Sequence, residues 1–504
     1  MAASSTLMPD TPATAAGGQP DASAAPPITR RRAFHGTLWI LAGTLAQQAM
    51  RFASSLVLTR LLFPEAFGLA ATVGLITAAV EMCSDLGVRP AAIQHPLGGT
   101  LRYLQAAWTI SLARGVVLGG VIAALAWPMG WFFNEPLLVW MTLAHAVGPV
   151  LRGLANPNTL RWERDLAQGK LTLLDLGWAL ARIALTILAA IWLQNVWALV
   201  LGLLLGEAAR SLLSYTMDPL APRWTWDREA FSSLYRFGRF VMMSSIVGFL
   251  ATRVDSLFVA RTLGMERAGV YYIAVTLATF TDLLFSRIGR QILFPALSRR
   301  ADDPRLLRER TAEVIGAAAI FILPGVTLLA LNAGLVVRVL YDDRYLDAAA
   351  ALQWLLAGFT LSSLADVVNA PLMAAGHPQF GTGATVLRLA VFCGAAPLLG
   401  GAMGVGGYAA AVAVAAAAFL LLIAVGAARN GLLALGSIAP ALAVPALYAA
   451  AGLTARAAAE LHVLAPPAIQ TLLLAVVIYL YRGRLLHLAA VRKPGESRRD
   501  VAAP

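Results

Sequence analysis

Two residue types are nearly missing from this chain of 504 residues. Cysteine occurs only as Cys83 and Cys393, and lysine only as Lys170 and Lys493. Two distant cysteines exclude a disulfide framework and a paired CxxC metal or redox site. Both fall in apolar stretches, where a packing role is expected. Charged residues are scarce as well, at 13% against 59% hydrophobic. A soluble domain carries about 25% charged residues, so this chain has too little polar surface to coat a water-soluble globule. There is no HExxH and no GxSxG, and Gly169-Lys170 lacks the upstream glycine of a phosphate-binding loop. No catalytic residue and no metal ligand set is therefore expected. Any work must come from a gradient or from downhill flow, not from ATP.

What the chain does have is length in apolar runs. A bilayer core of about 30 Å needs roughly 20 apolar residues per helix. Fourteen such stretches are predicted, at 36–60, 67–88, 103–127, 137–155, 171–193, 196–216, 237–260, 268–289, 311–333, 348–372, 380–400, 404–427, 433–454 and 464–481. The fold class is all-α, a polytopic membrane bundle of about 14 transmembrane helices. Residues 1–35 read as a disordered cytoplasmic tail rich in Ala, Pro, Ser and Thr, without the apolar core of a cleaved signal. Arg30, Arg31 and Arg32 then precede an uncleaved first span. With this end inside, the connections 89–102, 156–170, 217–236, 290–310 and 482–504 carry most of the loop arginines. The outer loops carry only Arg261, Arg267, Arg338, Arg344 and Arg456. That asymmetry places both termini in the cytoplasm, and it explains the net charge of +12 without nucleic acid. Residues 156–170 and 220–236 mix Trp with charge, as expected at a headgroup boundary. Tyr341-Asp-Asp-Arg-Tyr345 reads as a short solvated turn.

The chain also repeats itself. At an offset of 201 residues, Ser55, Leu56, Arg60, Leu62, Glu65 and Gly68 meet Ser256, Leu257, Arg261, Leu263, Glu266 and Gly269. In the same register Glu81 meets Asp282 and Arg89 meets Arg290. Six spans separate the copies, so both cross in one direction. The halves are expected to be parallel repeats about an axis along the membrane normal, as in rocking transporters. The expected domains are an N-lobe of six helices (36–216), a linker (217–236) and a C-lobe of six helices (237–427). An extra helix pair (428–481) and a basic tail (482–504) follow.

The stretch Leu58-Thr-Arg-Leu-Leu-Phe-Pro-Glu-Ala-Phe-Gly-Leu69, followed by Asp85-Leu-Gly-Val-Arg-Pro90, resembles the polysaccharide transporter (Wzx-type) flippases. These belong to the multidrug/oligosaccharidyl-lipid/polysaccharide exporter superfamily. Asn156-Pro-Asn158, Arg161-Trp-Glu-Arg164 and Arg253-Val-Asp-Ser256 extend the likeness. The resemblance implies a V-shaped pair of lobes around a central cavity in a bacterial inner membrane. It implies transfer of an undecaprenyl-diphosphate-linked oligosaccharide between leaflets, driven by a proton or sodium gradient and needing no cofactor. Membrane lipids, a polysaccharide polymerase and a co-polymerase are the partners it suggests.

Charges inside the spans are the candidate site. Gln47, Arg51, Ser54 and Ser55 fall on one helical face. Arg253 sits at nearly the repeat-equivalent depth, and Arg114, Arg182, Arg287 and Arg388 add positive charge. An ionisable group in a span marks a pathway by default. Guanidinium grips phosphate bidentately and stays charged, so Arg51, Arg253, Arg287, Gln47, Arg114, Arg182 and Arg388 are the expected substrate-binding set. The alternative is that they pair with acids and staple the bundle. Glu81 and Asp85, one turn apart, with Asp255 and Asp282, are the expected ion-coupling carboxyls. His145, Trp39, Trp108, Trp127 and Trp131 read as packing or interfacial residues, while Gly115/Gly119 and Gly202/Gly206 permit close helix contact. Three rivals remain: a drug or cation exporter, a peptidoglycan-precursor flippase, and a membrane polysaccharide polymerase.

Overall fold

The computed structural model describes residues 30–82, 99–225, 248–249, 251–287 and 304–433, the side chains over 30–38, 40–41, 280–287, 304, 306 and 317–321 excepted. The described chain is helical throughout. Helices α1 (Arg30–Leu61), α2 (Pro64–Met82), α3 (Leu101–Phe133), α4 (Pro136–His145), α5 (Val147–Gly153), α6 (Asn158–Arg164), α7 (Gln168–Leu193) and α8 (Trp197–Met217) form the first half. The second half holds α9 (251–263), α10 (Met265–Arg287), α11 (Pro304–Phe321), α12 (Leu323–Leu331), α13 (Ala333–Leu340), α14 (Ala348–Ala374), α15 (Pro378–Met403) and α16 (Val405–Arg429). Among the described residues, seven helices are long and apolar enough to cross a membrane, and nine if each bent pair is one span. The last two sequence-predicted spans, 433–454 and 464–481, lie almost wholly outside the described residues.

Local chemistry sets the ends and breaks. Thr100 caps α3 by accepting from the Tyr103 amide, and Asn134 closes it in the left-handed region at φ 54°. The predicted span 137–155 is divided, because Pro149 has no N–H to give the His145 carbonyl. Helix α6 then turns away from it by 63°, and α13 turns from α12 by 73° at Asn332.

In lipid no hydrophobic force draws helices together, so close packing and polar contacts must. Close packing dominates the second half. Helix α16 buries Ala409, Ala411, Ala415 and Ala416 against α14, where Ala351, Leu352, Leu355 and Leu356 are fully buried. Gly358 makes this possible, since a Cβ there would stand 3.1 Å from the Ala413 Cα. The first half has the same device at Gly115 and Gly119, which receive the carbonyls of Pro149 and Ala146.

The halves meet along α2 and α10. A Cβ on Gly68 would fall on the Met265 carbonyl oxygen, and a Cβ on Gly269 would fall on that of Pro64. Positions 64 and 265, like 68 and 269, differ by 201, the repeat offset. A reciprocal contact between equivalent residues is the mark of a two-fold axis, and this one runs between α2 and α10. Both contacts lie where α1 turns into α2 and α9 into α10, so that end of the bundle is sealed.

The segment 341–345 departs from the expected solvated turn. It forms a 3-10 turn over Asp343–Tyr345, with Tyr341 3% and Tyr345 0% exposed. The two rings tuck against the α1–α2 corner: Tyr345 packs edge-on to Phe67, and the Tyr341 hydroxyl lies 3.3 Å from Ser55 Oγ. Arg344 donates to the Thr59 carbonyl at 3.1 Å and stacks over Phe63. Two aromatic residues gain more from that corner than from water.

Residues 156–170 depart in the same way. Trp162 is 3% exposed, donates its indole N–H to Asp218 and lies beneath the Lys170 ammonium. Asn156, fully buried, donates its side-chain amide to the Ser214 and Asp218 carbonyls and its backbone N–H to the Ser214 hydroxyl. The corner is anchored to protein by these contacts. Cys393, expected in packing, is exposed on α15, because that helix turns most of its surface outward.

Candidate functional site

Five helices of the first half bring their charges together. Glu81 at the end of α2 bonds Arg152 of α5 at 2.5 Å, and the other side of Arg152 lies 3.5 Å from Glu207 of α8. Arg114 of α3 donates to the Glu81 carbonyl at 3.2 Å. One turn along α8, Arg210 pairs with Asp175 of α7 at 3.2 Å and stacks on Trp178. Glu81 and Glu207 share Arg152, and Asp175 has Arg210, so this set is a staple between helices.

Arg182 and Arg51 stand at its edge and differ from it. Arg182 of α7 stacks on Trp178 with 5.8 Å between guanidinium and ring centroid, and no carboxylate lies within ion-pair distance of it. Arg51 of α1 is exposed and makes no hydrogen bond or ion pair. Among the charges that act on Arg182, that of Glu207 on α8 comes first, then Arg51, and Tyr272 of α10 after them. Tyr272 belongs to the other half. Arg182 is therefore within electrostatic reach of the second half, and Arg51 stands one turn beyond Gln47 on α1. Two like charges beside a single carboxylate leave net positive charge, which favours an incoming anion.

In the second half, Asp255 is buried and accepts the Tyr271 hydroxyl at 2.6 Å. Arg253 lies near that carboxylate without bonding it, and Arg388 acts on it from a distance while resting over Phe419. The expected set thus separates into parts. Arg51 and Arg182 come together beside Gln47. Arg253, Arg388 and Asp255 form a second group, and Arg114 and Glu81 join the staple. Asp85 lies outside the described residues, as do the side chains of Asp282 and Arg287. No group of three or more His, Cys, Asp or Glu among the described residues could hold a metal.

Sequence reasoning missed Arg152, Glu207, Tyr271 and Tyr272. Arg152 looked like a charge at a span end, and its partners lie on helices far away in the chain. No local spacing could reveal them.

Residues 57–350 match the family of polysaccharide biosynthesis proteins. This chain belongs to that family. Among its relatives is the Escherichia coli lipopolysaccharide biosynthesis protein WzxC, 24% identical over 354 residues, or 68% of this chain and 70% of the relative. The Rhizobium meliloti succinoglycan biosynthesis transport protein ExoT is 22% identical and covers 58% of each chain. The fold is that of the lipid II flippase MurJ in an inward closed conformation. That match has a TM-score of 0.70 and 11% identity, over 90% of this chain and all of that one. An inward-facing multidrug transporter of the MATE family matches with a TM-score of 0.57 and 14% identity, over 76% of this chain and 94% of that one.

Proposed function

We propose that this chain is a flippase that carries an undecaprenyl-diphosphate-linked oligosaccharide across the bacterial inner membrane for surface polysaccharide assembly. The observation that carries this reading is the pair Arg51 and Arg182. Both lie on helices of the first half, their charges act on each other, and neither makes an ion pair with a described residue, although Glu207 acts on Arg182 from a distance. A buried or half-buried guanidinium with no partner is costly in a bilayer unless a ligand offsets it. A diphosphate does so well, because its oxygens accept the planar N–H fork in pairs. Stacking on Trp178 fixes the Arg182 plane before the ligand arrives, so less freedom is lost on binding. An exporter of cationic drugs needs carboxylates at these positions.

The contact at Gly68 and Gly269 seals one end, while the charged groups lie deeper toward the other. With both termini cytoplasmic, the sealed end faces outward and the gap receives substrate from inside. Rocking about the α2–α10 axis then parts the seal and releases the substrate in the outer leaflet. A carboxyl that exchanges a proton or sodium ion could drive this, and Asp255 is the better candidate. Glu81 is already neutralised by Arg152, whereas Asp255 has a hydroxyl and no bonded cation. A polymerase and a co-polymerase would receive the product.

The test is translocation of a fluorescent lipid-diphosphate oligosaccharide in proteoliposomes. Arg51→Ala and Arg182→Ala are each expected to slow it at least about tenfold, the loss of one charge-assisted contact of about 1.5–3 kcal/mol. Arg51→Ala should leave thermal stability within about 0.5 kcal/mol, because nothing in the protein relies on that side chain. Wild-type rates in both variants would remove the proposal.

A further inference from the structure

The sealed end has two sides related by the repeat, and they are not alike. On one side Arg60, at the end of α1, lies near enough to Asp342 for its charge to act on that carboxylate. Its counterpart 201 positions later is Arg261, at the end of α9. Arg261 stands in a cleft of about 390 Å³ at the α3–α4 corner, lined by Trp131, Phe132 and Asn134. Its guanidinium lies 5.4 Å from the Phe132 ring centroid, and it makes no hydrogen bond or ion pair. Glu135, next in the chain, is not within bonding distance of it. The Asn134 side-chain amide also makes no hydrogen bond.

We infer that this cleft is a second anion site, taking a phosphate or diphosphate group at the sealed end, apart from Arg51 and Arg182. Three observations converge on it. Arg261 makes no ion pair with a described residue, so an external anion can take the counterion's place. The guanidinium lies over the Phe132 ring, and a ring contact of that kind leaves its edge donors available to an anion. The Asn134 side-chain amide, in the cleft lining and without a hydrogen bond to any described residue, adds two more donors. The volume falls in the range of about 300–1,000 Å³ usual for ligand pockets. Trp131, 85% exposed, offers an apolar wall that weakens screening of the charge. Assigning the anion to a lipid-linked sugar in transit rests on the flippase reading; the cleft itself does not.

The test reads binding without transport. The full chain is labelled with 5-fluorotryptophan, placed in phosphatidylcholine nanodiscs, and its Trp131 fluorine resonance is assigned with Trp131→Phe. Sodium pyrophosphate is expected to shift that resonance with a millimolar midpoint. Arg261→Gln should lose the shift, and Arg60→Gln should keep it. A second arm replaces part of the phosphatidylcholine with phosphatidylglycerol and omits pyrophosphate. A shift there that depends on Arg261 supports the site and identifies a lipid headgroup as its source, while a shift with pyrophosphate alone identifies a mobile diphosphate. No shift in the wild-type protein with either probe overturns the inference, and so does a shift that survives Arg261→Gln. Wild type is itself the reporter, so a variant that fails to fold does not spoil the test. A chain that flips nothing yet shows the shift would sink the functional reading and leave the cleft standing.

Discussion

The two halves share a repeat and hold themselves together differently. The first half binds its helices through ions: Glu81, Arg152 and Glu207 join α2, α5 and α8, and Asp175 with Arg210 joins α7 to α8. The second half relies on shape. In the first half, the share of residues buried inside the protein in the most apolar window is 39% for α2, α3 and α8 and 11% for α7; in the second half it is 61% for α14 and 67% for α16, with α15 at 17%. Its chief buried polar contact there is Asp255 with Tyr271. The difference teaches where flexibility can reside. Ion pairs on long side chains tolerate small shifts of their helices, whereas an alanine and glycine seam admits few arrangements. A rigid second half and a compliant first half suit a machine that must change shape on the side bearing Arg51 and Arg182.

The sharpest way to break this comparison is at Gly358. Its missing Cβ brings α14 against Ala413 of α16, so Gly358→Leu overpacks the seam, at a cost of about 1–3 kcal/mol or more. Thermal unfolding in detergent measures it. A smaller change than the same substitution at lipid-facing Gly394 would mean that the seam is not what stabilises the second half. Next in size is a matched pair. Tyr271→Phe removes the hydrogen bond of a buried carboxylate, for about 1–3 kcal/mol. Glu207→Gln leaves Arg152 with Glu81 alone, and since the Arg152 side chain is 38% exposed the cost is discounted to about 1 kcal/mol or less. Equal losses would erase the distinction between a stiff half and a compliant one.

Much of the fold was legible in the sequence because bilayer thickness imposes one length on every span. The register Arg60/Arg261 and Gly68/Gly269 foretold the axis, since a glycine repeated at an interface leaves its mark in both copies. The face carrying Arg51 was legible from helical spacing alone. What could not be read was pairing. Arg114 and Arg152 look alike in sequence to Arg51, and only the fold tells which cations meet Glu81 and which meet nothing. Tyr341 and Tyr345 misled for a related reason. Their neighbours Asp342, Asp343 and Arg344 are polar, and the aromatic corner that buries the rings belongs to the other half of the chain.

That same turn gives the smallest effect, and it has a sign. Asp342 lies outside the spans, and the hydrogen bond from Arg344, with Arg60 nearby, holds its carboxyl below the usual carboxylate range. A carboxyl depressed in the folded state contributes stability that is present above its unfolded value of about 3.9. That contribution is lost as pH falls through the lower folded value. The side chains of Asp342 and Arg344 are 37% and 36% exposed, so solvent screening limits the gain to a few tenths of a kcal/mol. Hydrogen exchange at the amides of 341–345, followed from pH 5 down to pH 2.5, should show protection falling only in the acid part of that range once intrinsic rates are divided out. Asp342→Asn should flatten the curve. Because Arg344 also donates to the Thr59 carbonyl, the α1 end should loosen with the turn. A wild-type curve as flat as the variant's would mean that this contact between the halves is held by the buried tyrosines alone, with the charges as bystanders.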